Sequence, residues 1–179
     1  RINPQTTLPQ TKISLAIALV ANDKMDLIIQ KAVELGVSEI IPLYSECSAR
    51  LPNDRSANRL LHWQNIIISS ACQCRQNQIP TIILPITLNS LYEKSDYDLK
   101  VIMNPHTDLA FNHLEASNAT IHQAILLIGP EGGFTSTEIE LATKNNYHSL
   151  QLGNLIMRSE TAVIAGLSVL NLYLKQWKF

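Results

Sequence analysis

Residues 124–138 read AILLIGPEGGFTSTE, and this stretch decides the fold class. The run from Ala124 to Ile128 is apolar without alternation, the pattern of a strand buried on both faces. Gly129-Pro130-Glu131-Gly132-Gly133-Phe134 follows at once, and Gly and Pro in that density break regular structure. Thr135-Ser136-Thr137-Glu138 is then a capping box, opening a helix to about Asn145. A buried strand, a glycine turn and a capped helix predict a parallel sheet flanked by helices. The turn falls at the carboxyl end of the strand, where open α/β sheets hold ligands.

The same alternation extends outward. ISLAIALV (13–20) is a second buried strand, and Asn22-Asp23 can cap a helix through about Leu35, with Asp26 in its first turn. Gly36 sits where a left-handed C-terminal cap is wanted. SEIIPLYSE (38–46) returns to strand. From about 55 to 74, Leu60, Leu61, Trp63, Ile66, Ile67, Ile68 and Ala71 have helical spacing, with Trp63 read as core. TIILPIT (81–87) and LKVIMN (99–104) read as short strands, with a helical turn at Leu88–Glu93 between them. Residues 105–122 read as a surface connection, HSLQLG (148–153) as a strand, and Ser159–Lys175 as the last helix. The expected fold class is α/β, with a mostly parallel sheet and helices on both faces.

Composition bounds the function. The 179 residues are 46% hydrophobic and 16% charged, which fits one globular domain and excludes disorder. No run reaches the roughly 18 apolar residues of a membrane span. Arg1-Ile2-Asn3-Pro4 carries no signal-peptide core, so a soluble cytoplasmic protein is expected. Cys47, Cys72 and Cys74 are too few for a disulfide framework, and no second cysteine pair or His cluster completes a zinc site. No metal is expected. His106, His113 and His122 lack ligand spacing and read as surface residues. Residues 1–12, rich in Pro, Thr and Gln, read as a linker.

Net charge is −1, whereas a protein that grips RNA unaided shows a basic surplus. Any RNA contact must come from a local patch, a dimer surface or another domain. Arg50, Arg55, Arg59 and Arg75 flank or line one helix and are the candidate phosphate-facing patch, with a solvated helix face as the alternative.

Three segments carry candidate chemistry. The glycine loop lets backbone approach a ligand, although a tight turn alone would need the same residues. It lacks the Gly-Lys-Ser/Thr of a phosphate loop and the Gly-x-Gly-x-x-Gly of a dinucleotide site. Leu152-Gly153-Asn154 ends another strand. Met157-Arg158-Ser159-Glu160-Thr161-Ala162 opens the last helix, where Ser159 suits the N-cap and Glu160 the helix dipole. Arg158 resists an explanation by capping, because a cation there opposes the dipole. It points to a bound phosphate or a substrate anion.

Taken together, LLIGPEGGF-T-x-x-E-I-E and LG-x-x-I-M-R-S-E-T-A resemble RsmE-like methyltransferases. So do QKAVELGVSEIIPLYSE (30–46) and RLLHWQNIIISSACQC-R-Q-N-Q-I-P (59–80), and the likeness runs from about Ile13 to the C-terminus. The resemblance implies a SPOUT fold with a C-terminal trefoil knot, a topology that periodicity could not have revealed. It implies S-adenosyl-L-methionine as cofactor and methylation of uridine N3 in 16S ribosomal RNA. It also implies a homodimer with the active site near the subunit interface.

By the same resemblance the cofactor is held by Leu127, Ile128, Gly129, Pro130, Glu131, Gly132 and Gly133, and by Leu152, Gly153 and Asn154. Met157, Arg158, Ser159, Glu160, Thr161 and Ala162 complete the set. The family carries an N-terminal RNA-binding domain resembling a PUA barrel, which makes residues 1–12 its linker and 13–179 the methyltransferase domain.

Uridine N3 must lose a proton before or as it gains a methyl group. A cation beside the developing uracil oxyanion favours that loss, and Arg158 is the candidate. Glu131 or Glu160 would accept the proton or orient the base, unless backbone N–H groups already satisfy both carboxylates.

Several positions depart from the family pattern. Cys47 stands where a basic residue usually follows Ser-Glu, Cys72 replaces an acidic residue, and Gln76 replaces a basic one. Asn104 precedes Pro105 where His is common, and Asn154-Leu155 replaces a Pro-Arg-like pair. The alternatives are another SPOUT enzyme acting on a ribose 2'-hydroxyl or a tRNA base, and a degenerate non-catalytic RNA-binding module. A flavodoxin-like nucleotide domain would leave Arg158–Thr161 unexplained.

Overall fold

A computed structural model describes residues 11–49, 56–93, 96–114 and 120–177. The elements run β1 (Lys12–Ala18), α1 (Asn22–Glu34), β2 (Glu39–Tyr44), α2 (Ser56–Cys74), β3 (Thr81–Ile82) and β4 (Ile86–Thr87). They continue with α3 (Leu88–Glu93), β5 (Leu99–Met103), β6 (Gln123–Ile128), α4 (Ser136–Lys144), β7 (His148–Leu150) and α5 (Ser159–Tyr173). The strands form one sheet in the order β3-β2-β1-β6-β5-β7, with β4 also paired to β2. Every strand pairing among the described residues is parallel.

The unbroken apolar runs are explained by two cores. Ile13, Leu15 and Ile17 of β1 and Leu126 and Ile128 of β6 meet α1 (Met25, Ile28, Ile29), α2 (Trp63, Ile67) and α5 (Val163, Leu167, Leu170). Ala16, Ile125 and Leu127 face the other way, onto Leu88 and Leu91 of α3 and Ala142 of α4. A strand with helices on both sides has no polar face, so period two disappears from its sequence. α5 packs close to β6 at Gly166, where a Cβ would stand 3.0 Å from Leu126 Cδ2.

The element boundaries depart from expectation in instructive ways. Asn22 is the first residue of α1 and Ala21 occupies the N-cap, without a side-chain cap, while Gly36 takes the expected left-handed conformation at φ 81°. TIILPIT splits into two short strands around Pro85, which has no amide to donate. The expected strand 148–153 stops at Leu150, opposite Met103 at the end of β5, and Gln151 adds a single bridge to Ala110. α5 ends at Tyr173, two residues before Lys175 turns left-handed at φ 54°. Arg158, not Ser159, holds the N-cap position of α5.

β1 opens at Lys12, one residue before the expected domain start, and residues 1–10 of the expected linker lie outside the described residues. No helix of the described residues is long and apolar enough to cross a membrane. The three cysteines are free, Cys47 and Cys72 being exposed.

Candidate active site

The carboxyl ends of β5, β6 and β7 lie side by side, and the loops that leave them enclose a cleft of about 200 Å³. Each wall is built differently. The wall after β6 is the glycine loop, where Gly133 adopts φ 72° and its N–H donates to the Pro130 carbonyl at 2.9 Å. A Cβ at Gly132 would stand 3.2 Å from Cys47 Cβ, so the loop lies against the segment that follows β2. The capping box then fixes α4: Glu138 N–H donates to Thr135 Oγ1 at 3.3 Å, and Thr135 N–H to Glu138 Oε2 at 2.9 Å. The other Glu138 oxygen accepts from Glu46 N–H at 3.0 Å, joining the two loops.

The wall after β5 is held by Asn104. Its backbone N–H donates to the Leu150 carbonyl at 2.8 Å and its side-chain amide to Ser149 Oγ at 3.1 Å. Its Oδ1 accepts from His106 N–H at 3.0 Å. The wall after β7 turns at Gly153, φ 67°, and carries Leu155 and Ile156 to the rim at 82% and 78% exposure. The Ser159 hydroxyl closes the site by donating to the Gly129 carbonyl at 3.1 Å.

Of the residues named from sequence, Ile128, Gly129, Pro130, Glu131, Gly132 and Gly133 line the cleft. So do Leu152, Gly153, Met157, Ser159 and Ala162. Leu127 is buried in the core, and Asn154, Arg158, Glu160 and Thr161 stand outside the lining. Sequence reasoning missed Met103, Pro105, His106, Ile139, Gln151 and Ile156, named Phe134 only as the end of the glycine turn, and had Asn104 and Leu155 only as departures. The signal was present: Asn104-Pro105 ends a buried strand, the same position that singled out the glycine loop.

Arg158, Glu131 and Glu160 come together around a residue no motif marked. Lys24, in the first turn of α1, forms an ion pair with Glu131. The hydrogen bond to Glu131 raises the Lys24 pKa; desolvation opposes this, the Glu131 and Glu160 charges add to it, and Arg158 works against it. Glu160 Oε2 is buried without a hydrogen-bond partner.

The arginines do not form one patch among the described residues. Arg59 lines a groove with Asn22, Asp26, Asn58 and His62, where His62 Nε2 meets Asp26 Oδ2 at 2.8 Å. Arg75 follows the far end of α2, about 24 Å away at the helical rise per residue. Arg50 and Arg55 lie outside the described residues. Cys72 is exposed, and Gln76 Oε1 is buried without a partner. No group of three or more His, Cys, Asp or Glu among the described residues is arranged to hold a metal.

Comparison with known proteins bears on this site. The RNA methyltransferase domain family matches residues 6–171. Ribosomal RNA small subunit methyltransferase E of Mesomycoplasma hyopneumoniae is 39% identical over 158 residues, covering 87% of this chain and 67% of the relative. Its counterpart from Buchnera aphidicola subsp. Schizaphis graminum is 37% identical over 162 residues, covering 89% and 65%. The chain thus spans about two thirds of the length of these relatives.

Among solved structures, the Neisseria gonorrhoeae ribosomal RNA small subunit methyltransferase E bound to S-adenosyl methionine superposes with a TM-score of 0.86 at 29% identity. That match covers 95% of this chain and 69% of the other. A Legionella pneumophila protein in complex with bound SAM gives 0.84 at 35% identity, covering 91% and 66%. A cleft ringed by three strand-end loops, the continuous family match and these likenesses agree: the chain belongs to the RNA methyltransferase domain family, among the ribosomal RNA small subunit methyltransferase E proteins.

Proposed function

We propose that this chain carries the catalytic domain of an S-adenosylmethionine-dependent enzyme that methylates N3 of a uridine in 16S ribosomal RNA. The observation that carries this reading is the cleft itself. Its walls combine apolar side chains, such as Ile128, Phe134, Ile139 and Leu152, with glycine backbone at Gly129, Gly132 and Gly153. That mixture suits a nucleoside, whose flat base needs apolar walls and whose polar edge needs backbone partners. A side chain at Gly129 would stand 3.2 Å from Phe134, so the close-packed wall accepts only glycine there without displacement.

When bound, S-adenosylmethionine supplies an electrophilic methyl group. The chain's own groups manage the proton and the charge. N3 gains a methyl as its N–H bond breaks, and a carboxylate takes the proton. Glu160 is the better acceptor of the two candidates, because its Oε2 is buried and unpartnered whereas Glu131 is engaged by Lys24. Arg158 has no side-chain role in capping α5, and its cation offsets the negative charge that develops on the uracil oxygens. Asn154 and Thr161 complete the cofactor set from beside the cleft, whereas Leu127 is buried in the core.

The finer features of the reading are a C-terminal trefoil knot and a homodimer. The knot is supported by the bond from Ser159 to the Gly129 carbonyl, which ties the start of α5 to the glycine loop before the helix packs on β6 and α1. The dimer is supported by apolar groups exposed on α5 and beyond, Ile164, Leu172 and Trp177, together with Leu155 and Ile156. The segment before β1 leads from an N-terminal RNA-binding domain, which supplies the basic surface that a chain of net charge −1 lacks. Arg59 and Arg75, with Arg50 and Arg55, add separate phosphate contacts. The work on ribosomal RNA takes place in the cytoplasm.

Calorimetric titration with S-adenosylmethionine and S-adenosylhomocysteine tests the reading, with sedimentation recording the oligomeric state. Binding at one site per chain upholds the cofactor assignment, and mapping of methylated nucleotides in 16S RNA then tests the uridine. A folded dimer that binds neither compound overturns the catalytic reading in favour of a non-catalytic module.

A further inference from the structure

Lys24 belongs to none of the motifs that carry the family resemblance, yet Glu131, Glu160 and Arg158 all act on it. Its neighbour Met25 is 1% exposed, so the backbone it hangs from is fixed in the core. A cation in the first turn of a helix opposes the helix dipole, and Asp23 is the only acidic residue in that turn. An unfavourable placement of this kind needs a compensating partner, and the partner is Glu131.

Glu131 stands in the middle of the glycine loop and is 53% exposed on its side chain. The loop is held at one end by Ser159 and packed at Gly132 against Cys47. Between these points the Glu131 carboxylate is free to swing unless Lys24 holds it. Glu160 adds a second negative charge within reach of Lys24, and Arg158 a second positive one. Removing Lys24 would leave two carboxylates facing a single cation.

We infer that Lys24 is a positioning residue: its ammonium ties the Glu131 carboxylate, and through it residues 129–133, to the first turn of α1. The loop's role in holding the cofactor rests on the methyltransferase reading of the cleft. Lys24 itself is absent from the cleft lining and acts through Glu131.

The test compares Lys24→Met and Lys24→Arg, each titrated with S-adenosylmethionine and S-adenosylhomocysteine. The two compounds differ by one positive charge at sulfur. A positioning role weakens both by the same factor, about threefold for a partly exposed ion pair, and Lys24→Arg restores it. In a Glu131→Ala background Lys24→Met then adds nothing, because the coupling is already gone. Unchanged affinity, a change confined to S-adenosylmethionine, or an equal loss in the Glu131→Ala background each overturns the inference.

Amide hydrogen exchange over residues 129–134 reads the anchoring without any ligand. Faster exchange in Lys24→Met but not in Lys24→Arg upholds it, and identical exchange in all three proteins overturns it. If the wild type binds neither compound, the methyltransferase reading fails, and exchange alone decides whether Lys24 anchors the loop.

Discussion

The Ser159 side chain, 4% exposed, donates a hydrogen bond to the Gly129 carbonyl across 30 residues of chain. It joins the first residue of α5 to the first residue of the glycine loop, so two cofactor segments distant in sequence move as one. Spending the hydroxyl there leaves the N-cap of α5 to Arg158, without a side-chain cap.

Ser159→Ala should therefore cost about 1 kcal/mol of stability, the net worth of a hydrogen bond. It should raise the Michaelis constant for S-adenosylmethionine more than it lowers turnover, since the lost contact shapes the binding loop. Urea denaturation and initial-rate kinetics check both. Unchanged kinetics with reduced stability would mean that the bond supports the fold alone.

Arg158 invites the opposite split. It stands outside the cleft lining, caps nothing with its side chain, and lies close enough to Lys24 to disfavour that residue's charge. Arg158→Ala in the full-length protein should reduce turnover by about a hundredfold, the scale for losing one preorganised charge at a developing oxyanion. Affinity for S-adenosylhomocysteine should change little. Turnover equal to wild type would remove Arg158 from the mechanism.

How much of this was legible in the sequence depended on whether the determinant was local. The strand at Ala124–Ile128, the capping box at Thr135 and Glu138, and the left-handed Gly36 each follow from neighbouring residues, and each appears as read. The glycine loop was legible because a strand end and a turn signal adjoin it. Lys24 was not, because its partner lies 107 residues away and a lysine in a helix carries no signature. Asn104 failed for a different reason: two of its three hydrogen bonds go to Ser149 and Leu150 of β7, some 45 residues on, and only the bond from His106 N–H is local, so its own segment looks like a plain surface turn. Ser159 misled as a cap, since the same hydroxyl can serve a helix end or a distant carbonyl, and only packing chooses between them.

Gly166 packs close against the sheet, at a place the sequence gives no hint of. Alanine there gains about 1 kcal/mol of helix propensity. Its Cβ would stand 3.0 Å from Leu126 Cδ2, the end of a flexible side chain that is itself fully buried. The two effects are comparable, so Gly166→Ala should be near neutral, whereas Gly166→Leu should lose about 3 kcal/mol by overpacking. Denaturant midpoints separate the cases. A tolerated leucine would show that α5 can move off β6.

Tyr147 carries a pH dependence with a definite sign. The residue is 3% exposed, its ring meets Tyr92 edge-on at 5.4 Å, and its hydroxyl is buried without a hydrogen-bond partner. Burial pushes its pKa well above the ordinary 10.0, and the nearby Tyr92 and Tyr97 charges push it the same way. Above that ordinary value the unfolded chain releases the phenolic proton while the folded chain retains it, so alkali favours unfolding. The contribution of this group is complete below the unfolded pKa and is lost as pH climbs toward the folded one. Tyr147→Phe removes both the titration and an unpaired buried hydroxyl. It should be about 1 kcal/mol more stable at neutral pH and should lose less stability than wild type as alkali is added. Urea denaturation at neutral pH and at about pH 11 measures the difference. A destabilised Tyr147→Phe would reveal a partner for the hydroxyl, and equal alkaline losses would assign the titration to another group.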